Sequence, residues 1–184
     1  MKTNNIIPSH PFDIDSNVSF NDKALEVFYY QAKENKVYCD YLDALGIQPE
    51  QIRNVKDIPF LPIEFFKSKE VVCSDKIPEV VFKSSGTGGS RSSHLVVNKL
   101  LYEQSFINCF NQYFGSPSDY IIVALLPNYM EQGESSLVYM VDKLIALSNN
   151  AQSGFYLEDL NGLLTRVQEM EQTNKVMLIG VTYA

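Results

Sequence analysis

Residues 83–94, Lys83-Ser84-Ser85-Gly86-Thr87-Gly88-Gly89-Ser90-Arg91-Ser92-Ser93-His94, crowd hydroxyls, glycines and cations into one short segment. Ser84, Ser85, Thr87 and Ser90 each carry a hydroxyl that can donate and accept a hydrogen bond. Gly86, Gly88 and Gly89 tolerate positive φ and let backbone N–H groups come close to a ligand. Lys83 and Arg91 place a cation at each end. Successive N–H groups between positive charges make a concave donor surface for an anion, phosphate in particular. Two common phosphate motifs do not fit. A P-loop needs Gly-Lys-Ser/Thr at its end, and Gly89 is followed by Ser90-Arg91. The dinucleotide fingerprint needs a third glycine where Arg91 stands. A mobile Gly/Ser hairpin accounts for the same composition equally well, so composition alone leaves both readings open.

Few other residues could do chemistry. His94 follows the segment and could touch a phosphate or an acyl group; a lone histidine at a strand start is more often simply solvated or hydrogen-bonded. Glu131 and Glu134 lie in a polar stretch after an apolar run, where they could serve metal or substrate recognition or merely face water. No catalytic residue stands out. Cys39, Cys73 and Cys109 are far apart, and His10 and His94 are the only histidines, so no metal site is expected. Cys109 falls on an apolar helical stripe and is expected in the core, while Cys39 and Cys73 have no neighbouring cation or base in sequence.

The elements that would position these residues follow from periodicity. Ser19 can cap a helix over 20–35 with Ala24, Leu25, Phe28 and Tyr29 on its apolar side. A second helix is expected over 37–45, ending at Gly46, and Pro49 opens a short one through Arg53. The two prolines in Ile58-Pro59-Phe60-Leu61-Pro62-Ile63 impose an extended linker. Residues 64–67 suit a helical turn, and Val71-Val72 and Val80-Val81-Phe82 suit strands. After the glycine segment the pattern alternates. Leu95-Val96-Val97 is a short strand. Asn98 caps a helix to Phe114 with Tyr102, Phe106, Cys109, Phe110 and Tyr113 as its stripe. The run from Tyr120 to Leu126 is a buried parallel strand, and Ser135 starts a helix facing inward through Leu137, Met140, Val141, Leu144 and Ile145. A strand at 154–157, a helix over 160–170 and a strand at 176–181 complete it. Strand and helix alternation predicts an α/β fold, a helical N-terminal cap leading into a mostly parallel, doubly wound sheet with flanking helices. The expected division is 1–68, cap and linker, and 69–184, an α/β subdomain carrying the glycine segment. A central strand is normally followed by a helix or a site, so the last strand near Ala184 suggests an incomplete chain, a fragment or a truncated gene product.

Composition narrows the function classes. The 184 residues suffice to bury a sizeable core, and 45% hydrophobic with 20% charged residues is ordinary for a globular protein. A net charge of −7 argues against nonspecific nucleic-acid binding, which needs a basic face. The polar N-terminus lacks a signal-peptide core, no apolar run approaches a membrane span, and three scattered cysteines suit a reduced compartment, so the cytoplasm is expected.

Phe82-Lys83-Ser84-Ser85-Gly86-Thr87-Gly88-Gly89-Ser90 resembles the Ser/Thr/Gly-rich phosphate loop of the AMP-forming adenylating superfamily, which includes acyl-CoA synthetases. Leu61-Pro62-Ile63-Glu64-Phe65-Phe66-Lys67-Ser68, Leu125-Leu126-Pro127-Asn128-Tyr129 and Gly133-Glu134-Ser135-Ser136-Leu137-Val138-Tyr139-Met140 resemble one branch, the acyl-protein synthetases of the bacterial bioluminescence fatty-acid reductase. The resemblance spans most of 20–184. It implies the N-terminal portion of a ligase that activates a carboxylic acid with ATP and Mg2+ and passes the acyl group to a thiol, a protein cysteine or coenzyme A. The cofactor-binding residues implied are Ser84, Ser85, Gly86, Thr87, Gly88, Gly89, Ser90 and Arg91, holding the β- and γ-phosphates; assembly into an oligomer is left open.

Two departures stand out. Gly88 replaces a usual threonine, and Arg91-Ser92 replaces a usual Pro-Lys pair; a guanidinium fork is not equivalent to an ammonium. The adenine-binding motif, a ribose-binding aspartate, the mobile lid with its lysine and the acyl-accepting cysteine are all expected further downstream in that family. The alternative is a non-catalytic binding or scaffold domain on a degenerate adenylating fold. A P-loop hydrolase is a third reading, disfavoured by the missing Gly-Lys-Ser/Thr. The aromatic set Phe65, Phe66, Phe106, Phe110, Tyr113 and Phe114 could line an acyl pocket, although aromatics at helical spacing are more often core.

Overall fold

Asn35, Asn98 and Ser135 each precede a run with helical spacing, and in the computed structural model each caps a helix through its side-chain oxygen. Asn35 Oδ1 accepts from Tyr38 N at 3.2 Å and Asn98 Oδ1 from Leu101 N at 3.0 Å, satisfying donors that a helix start leaves orphaned. The structure describes Phe12, Ile14 and residues 19–73, 76–84, 91–126, 134–156 and 160–181. The chain divides into two compact units, residues 1–97 and 98–184. The sequence pattern places its division at 68/69.

In the first unit, α1 (Ser19–Glu34) packs against α2 (Lys36–Leu45), which ends where Gly46 turns left-handed at φ 68°. Phe28, Ala32, Tyr38, Leu42 and Ile52 form the core. Two tyrosines then tie the chain that follows to these helices: the Tyr29 hydroxyl donates to Ile52 O, and the Tyr38 hydroxyl to Pro59 O of the proline linker at 2.6 Å. The helical turn α3 (Phe65–Ser68) follows as expected. Val71 and Val72 form no strand; only Cys73 makes an isolated antiparallel bridge, to Asn35. The Cys73 thiol donates to Gln31 Oε1, and burial pushes its pKa up to about 11, which favours the protonated thiol over the thiolate. The strands β1 (Val80–Lys83) and β2 (Ser93–Val96) then pair antiparallel.

The second unit holds a three-stranded parallel sheet in the order β4-β3-β5, made of β3 (Tyr120–Leu125), β4 (Gly154–Phe155) and β5 (Lys175–Gly180). It is flanked by α4 (Lys99–Phe114), α5 (Ser136–Ser148) and α6 (Leu160–Met170). Strand periodicity explains the layering. Ile121 and Val123 face Leu163 and Met170 of α6, whereas Ile122 packs with Phe110 and Leu144, and Ala124 and Leu126 pack with Val138 and Val141. Both faces of β3 are therefore covered, which is why its sequence is continuously apolar. The chain passes from β3 to β4 through α5 on one face and from β4 back to β5 through α6 on the other. Both crossovers have the same hand, as parallel sheets require. Because β4 is so short, the Ser153 hydroxyl takes over one ladder position, accepting from Ile122 N at 2.9 Å.

The expected sheet needs one correction: the Leu95–Val97 run joins no parallel sheet, since β2 pairs with β1 in an antiparallel hairpin. The α4 stripe also differs. Phe110 and Glu103 are buried, while Cys109 is exposed and Tyr113 is 72% exposed, so Cys109 is not core. The α5 face is likewise rotated, with Val138 buried and Leu137 exposed.

Gly115 ends α4 at φ 87°, ψ −160°, a backbone region that residues with a side chain avoid. Gly115→Ala is expected to cost about 1 kcal/mol, measured as a lower denaturation midpoint with unchanged cooperativity.

Candidate functional site

The glycine segment connects two short apolar strands, and the hairpin fixes where its ends stand. The register pairs Phe82 with His94 and Lys83 with Ser93. Paired residues share a face, so His94 lies beside the buried Phe82, their ring centroids 6.5 Å apart. His94 keeps exposed surface, but this packing partly desolvates its ring and holds the imidazole pKa below the usual histidine range, favouring the neutral form.

At the end of the hairpin nearest the glycine segment, three hydrogen bonds join the flanks. Ser84 N donates to Ser92 O at 3.0 Å, Ser92 N donates to Ser84 Oγ at 3.0 Å, and Arg91 Nε donates to Ser84 O at 2.6 Å. Ser84, Arg91 and His94 are thus gathered on one hairpin, with Lys83 and Arg91 exposed. Ser85, Gly86, Thr87, Gly88, Gly89 and Ser90 lie outside the described residues, as does Glu131. Glu134 is half-buried and stands immediately before the Ser135 cap of α5, where a carboxylate interacts favourably with the helix dipole. The hairpin belongs to the first unit and Glu134 to the second.

The aromatic set divides in the same way. Phe65 and Phe66 belong to the first unit, while Phe106 and Phe110 pack in a core cluster of the second with Tyr113 and Phe114 exposed. Among the described residues, no three His, Cys, Asp or Glu side chains converge on a position for a metal ion.

One charged cluster is absent from the expectations drawn from the sequence. Glu103 is buried on α4 and accepts a hydrogen bond from the Tyr139 hydroxyl at 2.5 Å, while Lys143 Nζ lies 2.9 Å from its other oxygen. The Lys99 ammonium sits 5.7 Å from the centre of the Tyr139 ring. The Tyr139 hydroxyl and the Lys143 ammonium hold the Glu103 carboxyl below the usual range, and burial followed by Glu103 pushes the Tyr139 phenol upward. A signal was present: Tyr139 and Lys143 are four residues apart on α5, and Glu103 takes a place on the inward side of α4 with Phe106 and Phe110.

Among the described residues, no helix is long and apolar enough to cross a membrane. No protein-family model, no curated protein and no solved structure matches this chain.

Proposed function

We propose that this chain is the N-terminal portion of an ATP-dependent ligase that forms acyl-adenylates, similar to acyl-protein synthetases. The reading is supported by one observation above others: the segment resembling the adenylating phosphate loop joins β1 to β2, and its described flanks offer the Ser84 hydroxyl and the exposed cation Lys83. These groups suit phosphate oxygens. The α/β unit that follows, with its helices on both sheet faces, is compatible with such a ligase.

In the proposed reaction a substrate carboxylate oxygen attacks the α-phosphorus of ATP. The new O–P bond forms as the bond to the β-phosphate breaks, and the electron pair leaves on pyrophosphate. A thiolate then attacks the acyl carbon and AMP departs. The loop holds the β- and γ-phosphates against the charge that develops on the leaving group, by hydroxyls and backbone N–H groups from Ser84 to Ser90. Mg2+ bound with the phosphates would supply charge neutralisation.

ATP–pyrophosphate exchange with a panel of fatty and aryl acids, using the product of the full reading frame, tests the reading. Exchange with at least one acid is expected, and Thr87→Ala should lower it about tenfold, the worth of one strong hydrogen bond. A folded sample that exchanges with none of the acids overturns the proposal.

A second reading is a binding or scaffold domain that does no chemistry. It is favoured by the loss of the usual Pro-Lys pair, where Arg91-Ser92 stands, and by the Arg91 Nε–H, which is turned onto the backbone of Ser84. Calorimetry with ATP and Mg2+ identifies a scaffold, which gives no heat, while a binding domain gives heat but no pyrophosphate exchange.

A further inference from the structure

Arg91 was expected to be a phosphate ligand because it is a cation beside a glycine loop. Its observed contact assigns it different work. The Nε–H is directed at the carbonyl oxygen of Ser84, on the opposite flank of the hairpin, at the short distance typical of a charge-assisted bond. The same serine receives Ser92 N–H on its hydroxyl and donates its own N–H to Ser92 O. Three polar groups of Ser84 are therefore engaged by residues 91 and 92, and the six residues 85–90 are spanned by that junction.

We propose that Arg91 is a positioning residue, which with Ser84 and Ser92 forms a clasp that fixes the distance between the two flanks where residues 85–90 begin and end. The clasp stands on the hairpin geometry alone. Its consequence for an anion rests on the phosphate-loop reading above. The physical reason is entropic: a segment whose two ends are held at a fixed span has fewer conformations to lose on binding a ligand.

Side-chain chemistry offers a direct discrimination. Glutamine places its amide nitrogen at the same number of bonds from Cα as the arginine Nε, but carries no charge. Lysine keeps the charge, but has a methylene at that position and its nitrogen one atom further. A clasp needs the donor; a phosphate ligand needs the charge. The readout for the clasp is amide hydrogen exchange of Ser84 and Ser92, followed by NMR on the whole chain. In Arg91→Lys, protection of these two amides is expected to fall about tenfold, whereas in Arg91→Gln it should stay within about twofold of the parent. Ser84→Ala should deprotect Ser92 N–H in the same way, because its acceptor is gone.

Pyrophosphate titration of the same proteins supplies the second readout. Its Kd should rank as protection does, with Arg91→Gln close to the parent and Arg91→Lys weaker. If Arg91→Lys keeps both amides protected, or Arg91→Gln loses as much as Arg91→Lys, the clasp is overturned. If affinity follows charge while protection does not, the positioning role is overturned and Arg91 is a ligand. If the parent binds no pyrophosphate and the protection ranking holds, the clasp stands and the phosphate reading falls.

Discussion

Ile122→Ala is expected to lower stability by about 3–5 kcal/mol, near the upper end for a truncated core isoleucine. The same truncation at Leu178 on the neighbouring strand should cost under about 1 kcal/mol, since it leaves little cavity. The contrast follows from position in the sheet. Ile122 is 0% exposed at the centre of β3 and packs against Phe110 of α4 and Leu144 of α5, so its loss opens a void between three elements. Leu178 pairs with Val123 in register but is 58% exposed. A loss of that size is a large share of a typical domain's total of about 5–15 kcal/mol. Because the chain has two compact units, the measurement should resolve them: urea unfolding followed by circular dichroism, with amide exchange of β3 as the local probe. Equal losses at Ile122 and Leu178 would contradict the assignment of β3 as the core strand.

Central strands of this kind are where sequence speaks most clearly. The run from Tyr120 to Leu126 has no alternation because both of its faces are covered, and it was readable as a buried parallel strand for that reason. Caps were similarly legible. Asn98 and Ser135 start their helices as their types suggest, and Gly46 stops α2 in the left-handed region that glycine enters most easily. Ser19 is instead the first residue of α1 itself.

What failed was what depends on a distant partner. The Leu95–Val97 run looks like any short strand, and its own residues do not say whether it pairs with β1 or joins the β3 sheet. Two apolar runs with a glycine-rich connection are a hairpin signal, and that local pairing prevailed over the alternating strand–helix rhythm. On α4 the apolar stripe misplaced Cys109 and Tyr113, because a buried carboxylate with partners on another helix competes for the inward face. For the glycine segment, residue types show what could bind, while Arg91 shows the limit of that reasoning: its type says ligand and its geometry says backbone clasp.

Breaking the Glu103 cluster should be the second-largest single loss and should carry a distinctive pH dependence. Lys143→Met is expected to cost about 2–3 kcal/mol, below the value for fully buried pairs because the lysine side chain is 39% exposed and partly screened. Glu103→Gln should cost somewhat less, since the amide oxygen can still accept from the Tyr139 hydroxyl. Glu103→Met, which removes both acceptor oxygens, should cost more than Glu103→Gln, because the Tyr139 hydroxyl and the Lys143 ammonium then lose this partner. The sign with pH follows from the direction of the shift. The folded carboxyl is held low, first by Tyr139 and then by Lys143, so the unfolded chain binds its proton more readily. The stabilisation is therefore complete above the unfolded carboxyl value of about 4.3 and is lost as pH falls through the lower folded value. Tyr139 works in the opposite direction on the alkaline side. Its phenol is raised, chiefly by burial and then by Glu103, so stability falls once pH exceeds the unfolded tyrosine value of about 10. Urea unfolding across that range should show the parent and Glu103→Gln well separated at neutral pH and converging in acid. A gap that stays constant with pH would mean that shape, and not the ionised carboxylate, joins α4 to α5.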